Sequence, residues 1–450
     1  MFNRYCFFIV VLLAAAPLCA QEDVGAAPLT DTNPADDARM LVPPPVNGGA
    51  YAAEGSSQAR ANYMRAGLTF NSAYSDNVLG GVSANPISDI SYSVWPFVAL
   101  DETTPRMHSL ISYDPGFTFY QRTANRNEAD QSLTADFSYR LTPHVTLGLY
   151  DSFHKSSSFL TQPDSFASNP VSGSAQASSV TVLAPLADQL NNTARANLTY
   201  QFARNAMVGI TGAFTNLHYP DPTQVPGLYD SSSKSASAFY NHRLSRMHYI
   251  GITYQFQDLL AFPTGLQAET QTHSALLYYT LYARPTLSFS FFGGPEYSNT
   301  ALGFLPGLHS WTPVVGASLG WQGRQTALAL SYSRMIAPGD GLTGAVHQNG
   351  INASLQRQLT PKWSAGIGSS YTINRVLEPL LFSGLQGSLG GHTIAGTASL
   401  HRDIGEHVSF GLGYSRLHQS YADIAAITRA PDTNVESVSI SYHFTRPLGR

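Results

Sequence analysis

The chain has 450 residues, of which 12% are charged, with a formal net charge of −4. That charged share is about half the roughly 25% usual in soluble domains, and so neutral a balance offers no basic face for nucleic acid. The only cysteines, Cys6 and Cys19, lie in the first twenty residues, which excludes disulfides and thiolate metal sites from the remainder.

At the N-terminus, Arg4 is followed by an uncharged apolar run from Phe7 to Ala16, then Pro17, Leu18, Cys19 and Ala20 before polar Gln21. A basic start, a short apolar middle and a small residue at the cut describe a secretory signal peptide, 1–20, cleaved after Ala20. The run is shorter than the roughly 20 residues a membrane-spanning helix needs. A lipoprotein reading would use Cys19, but Leu18 is bulky where a small residue should precede it. Residues 21–61 are rich in Ala, Pro, Asp and Gly, include Pro43-Pro44-Pro45 and show no period. They are expected to form a disordered periplasmic lead-in.

From Asn62 the pattern changes to two-residue alternation, the signature of strands whose side chains face opposite sides in turn. Leu133, Ala135, Phe137 and Tyr139 alternate with Ser132, Thr134, Asp136 and Ser138. Ala194 to Phe202, Ile250 to Phe256, Leu287 to Phe291 and Val408 to Tyr414 repeat the code. In the last segment Val438, Ile440, Tyr442 and Phe444 oppose Ser437, Ser439, Ser441 and His443. The polar face is mostly Ser, Thr, Gly, Asn and Gln, which suits a wet lumen better than the surface of a soluble sandwich.

About eighteen such segments are predicted, at 65–77, 88–100, 106–120, 130–141, 145–155, 190–202, 207–217, 234–244, 248–258, 270–281, 285–297, 311–322, 326–336, 347–359, 363–374, 391–402, 406–418 and 434–444. Short connections such as Leu141-Thr142-Pro143-His144 and Leu359-Thr360-Pro361-Lys362 alternate with long ones near 155–189, 218–233, 298–310, 375–390 and 419–433. The expected fold is therefore all-β: a closed antiparallel transmembrane β-barrel over 62–444 with short periplasmic turns and long extracellular loops, then a tail, 445–450. Aromatic residues at strand ends are expected to form membrane girdles: Tyr139, Tyr200, Phe202, Trp321, Tyr442 and Phe444 at the inner boundary, and Tyr414 at the outer.

Tyr74-Ser75-Asp76-Asn77-Val78, then Ser88-Asp89-Ile90 and Val94-Trp95-Pro96-Phe97, resemble the opening of the β-barrel porin 2 family. Some of its members are outer-membrane proteins of exopolysaccharide gene clusters. The resemblance spans roughly 62–444, with motifs only in the first two strands and the last. It implies a porin-like protein of a Gram-negative outer membrane, with a link to polysaccharide export and its proteins, and offers no catalytic residues. The terminal Tyr442-x-Phe444 resembles the signal read by the barrel assembly machinery. Asp76 and Asn77 themselves suit a turn at a strand end, with calcium or sugar contact as the alternative.

Catalytic signals are weak. Gly316-Ala317-Ser318-Leu319-Gly320 spells a nucleophile elbow, but it lies inside an alternating strand rather than between a strand and a helix. His401 and His407 flank a charged turn. No catalytic, metal or cofactor site is expected. Asp114, Asp136, Arg195 and Arg243 fall on the lumen side and are the pore-lining candidates, since charges lining a pore set ion preference. Internal ion pairs, or headgroup anchoring for Arg243, would serve the same positions. The expected function is a channel for hydrophilic solutes in contact with outer-membrane lipid and lipopolysaccharide. The alternatives are a non-conducting scaffold barrel or an outer-membrane hydrolase with a Ser–His pair near the rim.

Overall fold

The computed structural model describes Met40 and residues 62–80, 85–156, 187–221, 228–262, 267–284, 286–303, 307–339, 343–377, 390–421 and 432–448. The expected signal peptide, all of the expected lead-in except Met40, and much of the long connections fall outside the described residues.

Alternating sequence becomes eighteen antiparallel strands: β1 (Tyr63–Ser75), β2 (Asp89–Thr103), β3 (Met107–Tyr120), β4 (Glu128–Arg140), β5 (Val145–Ser156), β6 (Gln189–Ala203), β7 (Ala206–His218), β8 (Ser231–Arg243), β9 (His248–Ala261), β10 (Ala268–Arg284), β11 (Leu287–Leu302), β12 (Leu308–Gln322), β13 (Thr326–Gly339), β14 (Thr343–Thr360), β15 (Trp363–Val376), β16 (Gly390–Asp403), β17 (Val408–Tyr421) and β18 (Asp432–Pro447). Each pairs with its neighbours in the chain, and β1 also pairs with β18, so the sheet closes on itself. Every segment anticipated from alternation is a strand. The differences lie at the ends: β11 runs on to Leu302 and β12 begins at Leu308, which shortens the connection expected near 298–310 to 303–307, and β14 begins at Thr343. Backbone pairing continues past the point where the apolar beat stops, because a strand needs no greasy side chain once clear of lipid. β18 likewise passes Phe444 to Pro447, opposite Tyr63.

The two faces separate as the alternation implies. Mid-strand Leu277, Ile367 and Ile210 are 62%, 60% and 59% exposed on the outer face. A largely apolar surface of that kind is what lipid covers and water does not. Among the described residues no helix is long and apolar enough to cross a membrane. A closed barrel does not need one, since all its backbone groups can pair between strands. At one end the strands join through two to four residues; the connections at the other end are mostly longer.

The seam between first and last strands holds thirteen residue pairs, from Tyr63 opposite Pro447 to Ser75 opposite Val435. Asp76 and Asn77 finish it at the long-loop end. Asn434 donates to Asp76 through its backbone N–H (2.7 Å) and its side-chain amide (2.6 Å), and Asn77 Nδ2 donates to the Asp432 carbonyl (3.0 Å). Tyr414 then donates to Asn434 Oδ1 at 2.8 Å. The turn residues of the first strand thus clamp it to the last. Asp76→Ala removes an acceptor of two bonds and is expected to cost about 1–3 kcal/mol. The folded band in semi-native gel electrophoresis should be lost at a lower temperature; an unchanged midpoint would refute the clamp.

Candidate functional site: the barrel lumen

The inward side chains divide into two unlike walls. On β13–β18 they are mostly Ser, Thr, Gly, Asn, Gln and small apolar groups, such as Asn352, Ser354, Ser370, Thr397, Ser415 and Ser439, with Met335, Leu417 and Tyr421 as larger members. Charge enters that wall only with His401, Asp403 and His443 near the short-turn end. The β2–β6 wall carries Asp101, Asp114, Glu128, Asp130 and Asp136 against Arg140 and Arg195.

Among the sequence candidates, Asp136 and Arg195 stand on either side of Tyr150 in one cross-strand row, with the Arg195 guanidinium carbon 5.9 Å from the Tyr150 ring centre. Asp114 is one strand away on β3, opposite Ser132. Arg243 is remote from these three: it lies inward at the short-turn end of β8, opposite Tyr249. Asp101 and His108, paired at 3.4 Å on the same wall, were not singled out from sequence. Their inward parity is legible in the sequence, but Asp101 falls one residue past the predicted segment 88–100.

The girdle candidates all lie on the outer face. Tyr200, Phe202, Trp321 and Tyr442 are exposed at the short-turn end, where Tyr139 and Phe444 are less so, and Tyr414 is exposed toward the other end.

Hydroxyl pairs join adjacent strands inside the barrel. Thr69 meets Ser441 at 2.9 Å, Thr193 meets Thr215 at 3.2 Å, Thr270 meets Thr300 at 3.1 Å and Thr280 meets Ser290 at 3.0 Å. Such pairs add roughly 0.2–1 kcal/mol each and hold the register. Six inward aromatics use a different device: each lies across a glycine of the next strand. The pairs are Phe97 on Gly67, Trp95 on Gly116, Phe239 on Gly209, Tyr278 on Gly251, Phe292 on Gly316 and Tyr421 on Gly391. A Cβ at any of these glycines would collide with the ring. The glycine lets the ring lie flat on the wall instead of standing in the lumen. Gly316, the first letter of the apparent nucleophile elbow, is one of them. Near Trp95 the β2–β3 ladder is interrupted where Pro96 and Pro115, neither with an N–H, come level.

One feature narrows the interior. β12 pairs with β13 over only eight positions, from Gln322 opposite Ala327 to Val315 opposite Arg334. Beyond Arg334, β13 leaves β12 while keeping β14 as its partner up to Gly339. Ile336 and Ala345 of this hairpin pack with Leu259, an inward residue of β9, and Leu377 joins them. The strands β10, β11 and β12 separate β9 from β13 along the wall, so this contact crosses the interior. The Ile336 N–H also hydrogen-bonds the inward Glu296 of β11. On β10 and β11 the inward Thr270, Thr272, Ser274, Glu296, Ser298 and Thr300 are all buried. At the opposite mouth Met40 packs with Met207, Tyr249 and Tyr282, and its N–H donates to Gln201 Oε1 at 3.3 Å.

A Ser–His contact exists: Ser152 Oγ and His154 Nε2 are 2.7 Å apart on the inward face of β5. Among the described residues no carboxylate or amide hydrogen-bonds the other imidazole nitrogen, where a hydrolytic triad carries its orienting group.

Neither a family model nor a curated protein matches the chain. Solved structures do. OccAB4 of Acinetobacter baumannii aligns over 87% of this chain and 100% of its own at 10% identity and a TM-score of 0.43. The outer membrane protein OpdK of Pseudomonas aeruginosa aligns over 85% and 99% at 8% identity and 0.41. The FrpB iron transporter of Neisseria meningitidis aligns over 85% and 82% at 9% identity and 0.40. At these scores the similarity carries no conclusion about solute or mechanism.

The ring-on-glycine contacts generate a test. Gly251→Val drives its side chain into Tyr278 and the Tyr240 carbonyl and should destabilise the barrel by about 1–3 kcal/mol. In Gly251→Val/Tyr278→Ala the ring is gone, so the loss should fall well short of the summed single effects. Additive losses in detergent unfolding would show that the two residues do not share the space.

Proposed function

We propose that this chain is a porin-like channel of a Gram-negative outer membrane that passes small or oligomeric neutral hydrophilic solutes. The observation that carries this reading is a closed eighteen-strand barrel whose inward β13–β18 wall is built of hydroxyls, amides and glycines. Those groups exchange hydrogen bonds with solute hydroxyls and impose no charge. A barrel of this strand number is wide enough for an aqueous path, and the inward β13–β14 hairpin sets how wide that path is. The acid-rich β2–β6 wall gives the path a preference for cations.

Residues 1–20 direct export, and the terminal strand through Phe444 meets the barrel assembly machinery. Both termini then lie on the periplasmic side, with the short turns. Polysaccharide export, with partner proteins in the periplasm, is the finer form of the proposal and rests on the family resemblance.

Single-channel recording in planar bilayers tests it. Purified mature protein should give discrete conductance steps, and neutral oligosaccharides should block them; a folded but silent barrel would favour a scaffold role. Replacing residues 337–345 with a short Gly-Ser link should raise unitary conductance at least about twofold, because the hairpin no longer occupies the section. Asp114→Asn/Asp136→Asn should move the reversal potential in a salt gradient toward non-selectivity. An unmoved potential would remove the β2–β6 wall from the conduction path.

A further inference from the structure

The point where β13 leaves β12 has a second consequence, on the outer face. Arg334 is the last residue of β13 opposite β12, and it is exposed beside Val315, itself 39% exposed on the outer face. His347 lies diagonally across on β14, and Arg375 of β15 stands directly opposite His347. Arg334 and Arg375 are both exposed and have no ion pair among the described residues. Strands β12 to β15 contain no aspartate or glutamate at all. The nearest carboxylates in sequence, Asp340 and Glu378, belong to connections outside the described residues.

The height of the cluster is set by the girdle. Arg334 is two residues beyond Tyr332 on the same face, and Arg375 four beyond Tyr371, or roughly 7 and 13 Å along the strands. With strands tilted as in such barrels, both guanidinium groups stand just above the hydrocarbon, at the level of lipid headgroups. Above Val315, the upper part of β12, Leu308–Val314, pairs with no strand on its β13 side among the described residues, which leaves a notch in the outer ladder. Trp311, 70% exposed with its ring centre 5.2 Å from that of Tyr297, stands on the far bank.

We propose that this notch binds the phosphate group of a phosphorylated glycolipid of the outer leaflet, of the lipid A type carried by lipopolysaccharide. Arg334 and Arg375 form charge-assisted hydrogen bonds to the phosphate oxygens. Val315 meets the first part of the acyl chains, and Trp311 borders the sugar. The inference rests on the outer-membrane reading above and gives that membrane's lipid one named site. A free anion would satisfy the arginines but not the exposed Val315 and Trp311 on the same face, which is why the lipid is the occupant proposed.

The test uses the full mature protein in detergent, with lipopolysaccharide binding followed by native mass spectrometry and titration. Arg334→Gln/Arg375→Gln should lose affinity by roughly tenfold or more, as expected for two surface cations acting on an anionic lipid. Arg324→Gln/Lys362→Gln, at the short-turn end, should bind as the parent does. Dephosphorylated lipid should bind the parent no better than it binds the double variant. Arg375→Gln alone should give a smaller loss in the same direction, and keeps the test available if the double variant folds poorly. Equal affinity of parent and double variant overturns the site, as does equal weakening by the short-turn pair. Complete displacement of the lipid by excess inorganic phosphate would mark a free-anion site and overturn the lipid assignment. Heat-shifted gel mobility and bilayer conductance are read on the same samples. A barrel that forms and conducts yet binds no lipid therefore fails this proposal alone.

Discussion

Lipid cannot accept or donate a hydrogen bond, so every backbone group that enters it must find a partner in the protein. For a chain built of short alternating segments this leaves closure as the only solution, and the seam between β1 and β18 makes closure possible. The rest of the molecule follows from that seam. Thirteen pairs fix the register of the first strand against the last, and a shift of one residue would turn every side chain to the wrong face. The clamp of Asp76 on Asn434 lies at the end of the seam where chain-local information is least, since the partners are 358 residues apart. A short turn cannot hold that register, so side chains do.

Closure also divides the physical roles of the two faces. Outside, large apolar residues are tolerated because lipid covers them. Inside, the wall must be polar without becoming crowded. Hydroxyl pairs meet the first requirement, and aromatic rings folded over glycines meet the second. A tyrosine opposite an alanine or valine would have to stand away from the wall. Opposite Gly251, Tyr278 lies down and donates to the Tyr240 carbonyl at 3.2 Å. The glycines scattered through these strands weaken them locally, and the rings above them restore the lost contact.

Strand number and face were legible in the sequence because both depend on parity alone, and lipid enforces parity at most mid-membrane positions, polar Asp151 and Ser369 aside. Ile440 and Leu412 announce their side at once. The outer ends were less legible: beyond the girdle the beat decays, and Asn299 or Thr343 gives no sign that pairing continues. The inward hairpin was hidden for a different reason. Ile336 has the parity of a lipid-facing residue and the side chain to match, yet it is 3% exposed and packs on Leu259. Parity states which side of a strand a residue occupies, not where the strand goes. The ring-on-glycine pairs were invisible for want of register, since Phe292 and Gly316 become neighbours only when β11 and β12 are aligned.

The same hydrogen-bond constraint fixes where the membrane ends on the side of the hairpin. Once β13 departs, the upper edge of β12 presents backbone groups with no strand beside them among the described residues, and such an edge cannot lie in hydrocarbon. The boundary must therefore fall no higher than the last paired position, Val315 opposite Arg334. Two unrelated marks agree with it. Tyr332, a ring with a polar edge suited to the boundary, is two residues below, and Arg334, a charge that hydrocarbon would reject, is at the position itself. Above that line the barrel has no obligation to remain closed. This is where β13 and β14 turn inward, narrowing the lumen on one side and opening the outer wall on the other. A deeper departure would expose backbone to lipid, so the reach of the hairpin into the lumen is limited by the thickness of the membrane around it.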